Sequence, residues 1–312
     1  MIDPTLINWL LEAQTPSIRY LTLTRLLGLP EAKPNALAAR QAMGATGPIP
    51  AILARQGENG AWMGEKSYYT PKYTSAHWSM LLLSELEADP ADVRVNSGAG
   101  HMLEVIAPEL EQRLGKGLHG WTCLWANILR YTVHGGLAYD SRLGIVIEAL
   151  LRDGLDFDWR CPYNDERPCA WGAARTLWGL AALPPDLRTG QIETAMHSSV
   201  CFLLEQYNLV QADYPAPAGG KIHEVWSRLN FPLFYQADIL FVLRALADAD
   251  ALDHPGAQPA LEWLRQRRKP DGRWDGSSPF RQRTWRVIGD LSETDRWVSL
   301  QAAMVLKQAA LE

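Results

Sequence analysis

The stretch QGENGAW, residues 56–62, carries the pattern Gln-x3-Gly-x-Trp, which decides the fold prediction for the whole chain. A second copy with two extra residues, QRRKPDGRW, occupies residues 266–274, and eroded copies stand at 119–121 (HGW) and 156–159 (DFDW). In each copy we expect the Gln to end an outer helix and bond its last carbonyls, while the Gly takes a left-handed turn. The Trp would then fill the gap before the next helix, so the motif predicts a repeat of helix pairs.

Apolar residues recur at three- and four-residue spacings along most of the chain, and strand-like alternation is nearly absent. Helices with a clear polar face are predicted near 94–113, 141–152, 189–207 and 256–268. More apolar helices, rich in Ala, Leu, Trp and Thr, are predicted near 16–27, 74–87, 119–133, 168–183, 233–247 and 295–309. Two long segments, 208–231 and 275–294, are predicted as loops. We therefore predict an all-α protein in which buried inner helices alternate with amphipathic outer helices.

The composition is that of an ordinary globular protein and excludes several other classes. Of the 312 residues, 47% are hydrophobic and 21% are charged, and the net charge of −5 argues against extended disorder. Lys and Arg number 30 against 35 Asp and Glu, so the basic excess of a nucleic-acid binder is missing. No apolar run reaches the roughly 18 residues of a membrane span. Because residues 1–17 lack the basic region of a secretory signal and the chain has only four cysteines, we expect a cytoplasmic protein.

The chain is unusually rich in tryptophan, with 13 Trp beside 10 Tyr and 6 Phe. Trp and Tyr carry a polar group on an apolar ring, and they are favoured where one end is buried and the other meets a ligand or water. The count is therefore compatible with an aromatic binding cavity, or with wedges that pack between helices.

The Gln-x3-Gly-x-Trp motif ahead of a buried helix resembles the QW motif of the squalene cyclase and protein prenyltransferase repeat superfamily. The repeat pattern runs from about Ser17 to Lys307. The segments CPYNDERPCAWGAARTLWGL (161–180) and FPLFYQADILFVLRAL (231–246) also resemble bacterial proteins described only as prenyltransferase or squalene oxidase repeat proteins. The resemblance implies a single α/α toroid over 1–312, with five to six pairs of inner and outer helices around a central cavity. Such a fold hosts cyclases, transferases, lyases and binding domains, so it does not decide the activity.

In such a toroid the N-terminal ends of the inner helices open onto the cavity, where the helix dipoles favour anions and polar groups. Aromatic rings at those ends could hold an isoprenoid and stabilise a carbocation through their faces. The candidate ligand-binding residues are Tyr73, His77, Trp78, Trp121, Trp125, Trp171, Trp226, Arg228, Tyr235, Gln236 and Trp297. We expect a hydrophobic small molecule as the ligand, with isoprenoids among the candidates. Ordinary core packing is the alternative.

Proton-initiated cyclisation needs a protonated acid in a dry pocket. The cyclases of this superfamily supply it as Asp-x-Asp-Asp, a pattern that the sequence lacks. The candidate catalytic acids are Asp165, Glu166 and Asp238. Asp165 and Glu166 could raise each other's pKa, or could serve only as charges at the start of a helix. Asp238, on an otherwise apolar inner helix, is either a cavity acid or the partner of Arg228.

One combination of residues could hold a metal ion. His119 and Cys123 are four residues apart and so share a helix face, while Cys161 and Cys169 flank the loop before the next inner helix. Together they would form a Cys3His set, with zinc as the candidate cofactor. Buried thiols without a metal are the alternative, because the spacing between Cys161 and Cys169 is wider than in common zinc knuckles.

The sequence leaves three functions open. The first is a terpenoid cyclase-like or prenyltransferase-like enzyme, an isomerase or a transferase, with its ligand in an aromatic cavity. The second is a non-catalytic toroid that binds a ligand or a protein, and the third is zinc-dependent thiol or prenyl-transfer chemistry. The chain is about half as long as a two-domain triterpene cyclase, which favours a smaller substrate, a homodimer or a binding role.

Overall fold

A computed structural model describes residues 3–62, 67–288 and 290–310, and most of these residues are helical. The α-helices are α1 (Pro4–Leu11), α2 (Pro16–Leu21), α3 (Pro34–Ala45), α4 (Pro48–Leu53), α5 (Ala76–Glu85), α6 (Val93–Gly115), α7 (Thr122–His134), α8 (Leu143–Leu155), α9 (Ala170–Leu180), α10 (Gly190–Cys201), α11 (Ile239–Asp248), α12 (Gln258–Gln266) and α13 (Leu291–Gln308). None of these helices combines the length and the apolar character that crossing a membrane takes.

Two minor features complete the secondary structure. A π-helical turn extends α2 over Thr22–Leu26, and another extends α10 over Phe202–Gln206. The strands β1 (Arg160–Cys161) and β2 (Arg167–Pro168) form an antiparallel pair of two residues each. The prediction of an all-α chain is therefore confirmed, with this short ladder as a local exception.

The helices predicted from periodicity are all present, with most ends shifted by only a few residues. The largest shift is at α11, which begins at Ile239 and not near residue 233, because Asp238 caps it there. The sequence pattern did not indicate α3 and α4, since Ala, Gly and Pro dilute their apolar periodicity. The predicted loop 208–231 is confirmed as irregular apart from short 3-10 turns at Pro217–Gly219 and Glu224–Ser227. The predicted loop 275–294 is irregular over 275–288 apart from a 3-10 turn at Arg286–Ile288, but its end is helical because α13 begins at Leu291.

Packing separates the helices into the two predicted kinds. Five successive contacts join the apolar helices: α5 on α7, α7 on α9, α9 on α11, α11 on α13, and α13 on α2. The amphipathic helices lie against these, with α6 on α5 and α7, α8 on α7, α10 on α9, and α12 on α11 and α13. In α9 every residue except Trp171 is buried, whereas α12 buries one face.

The closest approach between two inner helices depends on a glycine. A Cβ placed on Gly179 of α9 would lie 2.8 Å from the backbone oxygen of Ala126 in α7. Real Cβ atoms do not come that near a backbone atom, so Gly179 lets the two helices meet backbone to backbone. This contact joins the C-terminal end of α9 to the middle of α7.

Both copies of the Gln-x3-Gly-x-Trp motif end the preceding helix through the tryptophan. The Trp62 indole N–H donates to the Ile52 carbonyl at 2.8 Å, and the Trp274 indole N–H donates to the Leu264 carbonyl at 2.8 Å. Each indole reaches a carbonyl ten residues earlier, in the last turn of the preceding helix, and this carbonyl also accepts a backbone N–H, from Arg55 and from Arg267 respectively. Both rings are buried, as the sequence predicted for wedges that fill the gap before the next helix.

The other two residues of the motif behave differently from each other. Gly60 has a φ of 81°, so its predicted left-handed turn is confirmed. The predicted capping role of the glutamine is wrong. Gln56 donates to the carbonyls of Gly60 and Arg94, which ties the turn to α6, and Gln266 donates to the Glu262 carboxylate.

Candidate functional site

Partly exposed aromatic rings cluster beside the N-terminal ends of the inner helices. Tyr69, Trp171 and Tyr235, here called the aromatic rim, are only half-buried. The Trp171 and Tyr235 ring centroids lie 5.8 Å apart. The Lys72 ammonium lies 5.5 Å from the Tyr69 ring centroid and 5.6 Å from that of Tyr235, so it links the two tyrosines. The rim therefore offers aromatic faces together with a cation at its edge.

Fully buried rings support the aromatic rim from within. The Trp78 ring lies 4.8 Å from that of Tyr69, and the Tyr73 ring lies 4.8 Å from Phe234 and 4.6 Å from Phe280. Burial, together with the neighbouring Tyr235, raises the pKa of Tyr73 to about 12, so it stays a neutral phenol. Tyr73 and Trp78 thus belong to the core beneath the rim, and the rim residues are the ones that a ligand can touch.

A cluster of buried polar side chains lies beside these rings, since the His77 ring is 6.0 Å from that of Tyr69 and 4.5 Å from that of Trp78. Its members, here called the polar floor, are His77 of α5, Asn127 and Tyr131 of α7, Arg175 of α9, and Gln236. His77 Nδ1 lies 3.3 Å from the Tyr131 hydroxyl, and Arg175 Nη1 donates to Asn127 Oδ1 at 3.3 Å. Arg175 Nε also donates to the Gln236 carbonyl at 3.1 Å. Because Asn127 and Tyr131 share a face of α7, three inner helices meet in this cluster.

The polar floor carries a buried positive charge. Arg175 is 0% exposed, and its hydrogen bonds run to neutral oxygen atoms of Asn127 and Gln236. Burial lowers the pKa of Arg175 to about 9, although the negative charge of Glu85 acts to raise it. The guanidinium is therefore still protonated at pH 7. Burial and the charge of Arg175 lower the pKa of His77 to about 3, which keeps that imidazole neutral.

Three polar atoms at this site have no hydrogen-bond partner in the part of the chain that the structure describes. They are His77 Nε2, Gln236 Oε1 and the Trp171 indole Nε1. Burying a polar group without a partner costs about 1–3 kcal/mol. Rim and floor therefore present two nitrogen atoms and one oxygen atom that a bound molecule could pair.

The remaining predicted ligand-binding residues do not join the rim or the floor. Trp226 is buried and donates its indole N–H to a loop carbonyl at 2.9 Å. Arg228 is exposed and pairs with Glu224 at 2.8 Å, while the Trp297 ring stacks on Phe231 with centroids 4.5 Å apart. These three pack or pair away from the rim and the floor, and Trp297 lines a different cavity, so their contact with a ligand stays a prediction.

Trp121 and Trp125 form a separate aromatic pair at the start of α7. Their ring centroids lie 6.0 Å apart, and the Arg113 guanidinium lies 4.0 Å from the Trp121 ring centroid. Trp125 is buried and donates its indole N–H to the Gly120 carbonyl at 3.1 Å. Trp125 is therefore a core residue, and Trp121 is a half-buried neighbour of the cysteines described below.

The sequence predicts Asp165 and Glu166 as candidate acids in a dry pocket, but the structure does not place them in one. Both side chains are exposed. Asp165 Oδ2 accepts a hydrogen bond from the Ala218 backbone N–H at 2.7 Å, and Glu166 Oε2 lies 2.8 Å from His119 Nε2. Water reaches both carboxylates, so the prediction that either serves as a buried proton donor is wrong.

Asp238 is buried, but neither predicted role describes it. It caps α11 by accepting the Phe241 N–H at 2.7 Å, and it accepts both the backbone N–H and the side-chain amide of Asn230, at 2.9 and 2.8 Å. Burial raises the pKa of Asp238 to about 7, although these hydrogen bonds act to lower it. It forms no pair with Arg228, and both of its oxygen atoms are occupied by donors of the protein. Asp238 therefore anchors the loop before α11.

The predicted zinc set is not assembled. No group of three or more His, Cys, Asp or Glu side chains within the described residues is arranged to hold a metal ion. His119 pairs with Glu166 and stacks on Phe157 with ring centroids 4.4 Å apart, which takes it out of the set. Cys123, Cys161 and Cys169 are free thiols.

Two concavities lie elsewhere on the described part of the molecule. A cavity of about 540 Å³ lies at the C-terminal ends of the inner helices, but charges along its wall pair with each other. Arg244 meets Glu85 at 2.8 Å, and Arg130 meets Asp248 at 2.8 Å. The second is an open groove of about 660 Å³ lined by α8 and the start of α10. Neither wall includes the unpaired atoms of His77, Gln236 and Trp171.

Sequence reasoning found part of the site and missed part of it. Tyr73, His77, Trp78, Trp171, Tyr235 and Gln236 were predicted and do lie together. Tyr69, Asn127, Tyr131 and Arg175 were missed. Arg175 could have pointed to the missed residues, because it is a single cation within the apolar helix AWGAARTLWGL. A buried charge is costly unless polar groups around it form hydrogen bonds with it.

Comparisons with known proteins assign no family to the chain. No family model, no curated protein and no solved structure matches it. Any function therefore has to be argued from the rim and the floor.

Proposed function

We propose that the chain closes into an α/α toroid and binds a small amphiphilic molecule between the aromatic rim and the polar floor. Closure is supported by the order of helix contacts, since α5, α7, α9, α11 and α13 pack in series, α13 packs on α2, and α2 leads back to α5 through α3 and α4. The outer helices cover the inner ones in the same order. This arrangement would direct the N-terminal ends of the inner helices, with their partial positive charge, toward the ligand.

The observation that carries the proposal is the set of unpaired buried atoms beside a buried cation. When the Tyr131 hydroxyl donates to His77 Nδ1, the proton of the neutral imidazole sits on Nε2, which then becomes a donor. The Trp171 indole is a second donor, and the Gln236 amide oxygen is an acceptor. An oxygen-rich head group would satisfy these atoms, and Arg175 favours a negatively charged one.

The apolar part of the ligand would lie on the aromatic rim. Tyr69, Trp171 and Tyr235 are half-exposed rings that would bury apolar area against a hydrocarbon chain. An isoprenoid alcohol or its diphosphate has the required apolar chain and polar head. The proposal is for binding, because Asp165 and Glu166 are exposed and the oxygens of Asp238 are occupied, so the predicted proton donors do not support cyclisation.

Isothermal titration calorimetry with farnesyl diphosphate and with farnesol tests the proposal. We expect both compounds to bind, with the diphosphate tighter because its negative head meets Arg175. Trp171→Ala should weaken both about tenfold, since it removes a ring contact worth about 1.4 kcal/mol.

A matched control is Trp263→Ala. Trp263 is also half-buried, but it lies on outer helix α12, where the Arg267 guanidinium stacks 3.7 Å from its ring centroid. This variant should bind like the wild type. The proposal fails if neither compound binds, or if the two tryptophan variants lose affinity equally.

A further inference from the structure

The short β-ladder brings two cysteines together. Cys161 ends β1 and lies opposite Arg167 of β2, and the backbone N–H of Cys169, just after β2, donates to the Trp159 carbonyl at 2.9 Å. In an antiparallel ladder this register makes Cys161 and Cys169 diagonal neighbours on the same face. The Cys169 thiol is close enough to donate its S–H to the Cys161 sulfur.

The surroundings of Cys161 favour a thiolate. Besides the Cys169 S–H, its sulfur accepts backbone N–H groups of Trp121, Tyr163 and Asn164. These hydrogen bonds, with that of Cys169 the strongest, lower the pKa of Cys161 to about 6 against the effect of burial. The same hydrogen bond, together with burial, holds the pKa of Cys169 well above that of an ordinary thiol. At pH 7 the pair therefore consists of one thiolate and one thiol.

The two other cysteines differ from this pair. Burial raises the pKa of Cys123 to about 12, so the Cys123 thiol, which neighbours the pair, stays protonated. Cys201 lies on α10, away from the ladder, with its sulfur 3.5 Å from His197. Cys161 is partly exposed, as the other three cysteines are, and Tyr163 beside it is exposed, so a small reagent can approach its thiolate.

We propose that Cys161 and Cys169 form a redox-active dithiol that exchanges with low-molecular-weight disulfides. The Cys161 thiolate attacks one sulfur of the disulfide RSSR, an S–S bond forms to Cys161, and RS⁻ leaves. The Cys169 thiol then loses its proton and attacks the Cys161 sulfur, which releases the second RS⁻ and closes the Cys161–Cys169 disulfide. The dithiol loses two electrons and the one proton of Cys169, and RSSR becomes one RSH and one RS⁻.

This activity does not depend on the proposed ligand. It uses the ladder beside Trp121 and Tyr163, whereas the ligand would occupy the rim and the floor. A dithiol with no bound amphiphile, or a bound amphiphile with inert thiols, would separate the two proposals.

The first test is the alkylation of single thiols by iodoacetamide at pH 6, read by peptide mass spectrometry. At pH 6 an ordinary thiol, with a pKa of about 8.5, is less than about 1% thiolate, whereas the lowered pKa of Cys161 gives it a much larger thiolate fraction. Cys161 should therefore react at least tenfold faster than Cys201. Cys169→Ser keeps a hydrogen-bond donor and should retain most of this advantage, while Cys169→Ala should lose it. Equal rates for Cys161 and Cys201 would overturn the proposal.

The second test uses oxidised glutathione as the disulfide, with intact-mass and peptide analysis. The wild type and Cys201→Ser should form the Cys161–Cys169 disulfide. Cys169→Ser should stop at a mixed disulfide of Cys161 with glutathione, and Cys161→Ser should form neither product. The proposal is wrong if the wild type keeps both thiols, or if Cys161→Ser reacts as fast as the wild type. Circular dichroism of each variant shows that the comparison is made between folded proteins.

Discussion

The buried imidazole of His77 contributes stability that is lost in mild acid. Its side chain is 0% exposed, and burial, together with the charge of Arg175, lowers its pKa to about 3, from the ordinary value of 6.5 that we expect in the unfolded chain. Between these two values the unfolded chain takes up a proton that the folded protein does not. The stability that His77 contributes is therefore complete above pH 6.5 and is lost as the pH falls toward 3.

The size of the effect follows from these two pKa values. On going from pH 8 to pH 5, the unfolded state gains about 2 kcal/mol of proton-binding free energy, and the folded state gains almost none. Asp153 and Asp238 act in the opposite direction, because burial raises the pKa of each, to about 6 and about 7. Both carboxylates remain in a His77 variant, so a comparison of the two proteins isolates the imidazole.

The assay is urea unfolding of the wild type and of His77→Gln, at pH 8 and at pH 5. The wild type should lose about 2 kcal/mol more of its free energy of unfolding between the two pH values than His77→Gln does. His197→Gln, at an exposed position of α10, should follow the wild type. An identical pH dependence for wild type and His77→Gln would refute the neutral, buried imidazole and with it the donor assigned to Nε2.

Three further outcomes follow from the packing and the caps. Gly179→Ala should lower the free energy of unfolding by about 2 kcal/mol, because a Cβ would press on the Ala126 carbonyl. The control Gly190→Ala should change the free energy of unfolding little, because there is open space around Gly190. Chemical denaturation measures both variants. Asp238→Ala should cost about 2–4 kcal/mol through the lost cap and Asn230 contacts, and Asp238→Asn less, by the same assay. Elemental analysis of protein purified without added metal should find less than one zinc per chain, with no fall in Tm on adding a chelator, because His119 is held by Glu166.

The helical architecture could be predicted because it depends on local patterns. The continuous burial of α9 and the one-sided burial of α12 are both visible as apolar spacing in the sequence. The start of α11 could not be predicted, because Asp238 decides it, and Asp238 is held in place by a hydrogen bond from a loop residue eight positions away. The turn at Gly60 was predicted from its motif, but the role of Gln56 was not, because its partner Arg94 lies on another element.

The candidate site was harder to predict because acids and cations look alike in a sequence whether they cap, pair or bind. Asp165 and Asp238 both precede an inner helix, yet one is exposed and the other is buried with its oxygens occupied. Arg175 contacts the Gln236 carbonyl 61 residues away, a pairing that no local pattern encodes. The half-buried rings Trp171 and Tyr235 were found because an excess of amphipathic aromatic residues indicates a partly open surface.

Photo-crosslinking with a farnesyl diphosphate analogue that carries a diazirine on its hydrocarbon chain tests the binding site most directly. Peptide mapping should place the crosslinks on the segments that carry Tyr69, Trp171 and Tyr235, and unlabelled farnesyl diphosphate should suppress them. Crosslinks confined to the wall of the 540 Å³ cavity, such as Arg130 and Lys307, or to the groove along α8, would contradict the account.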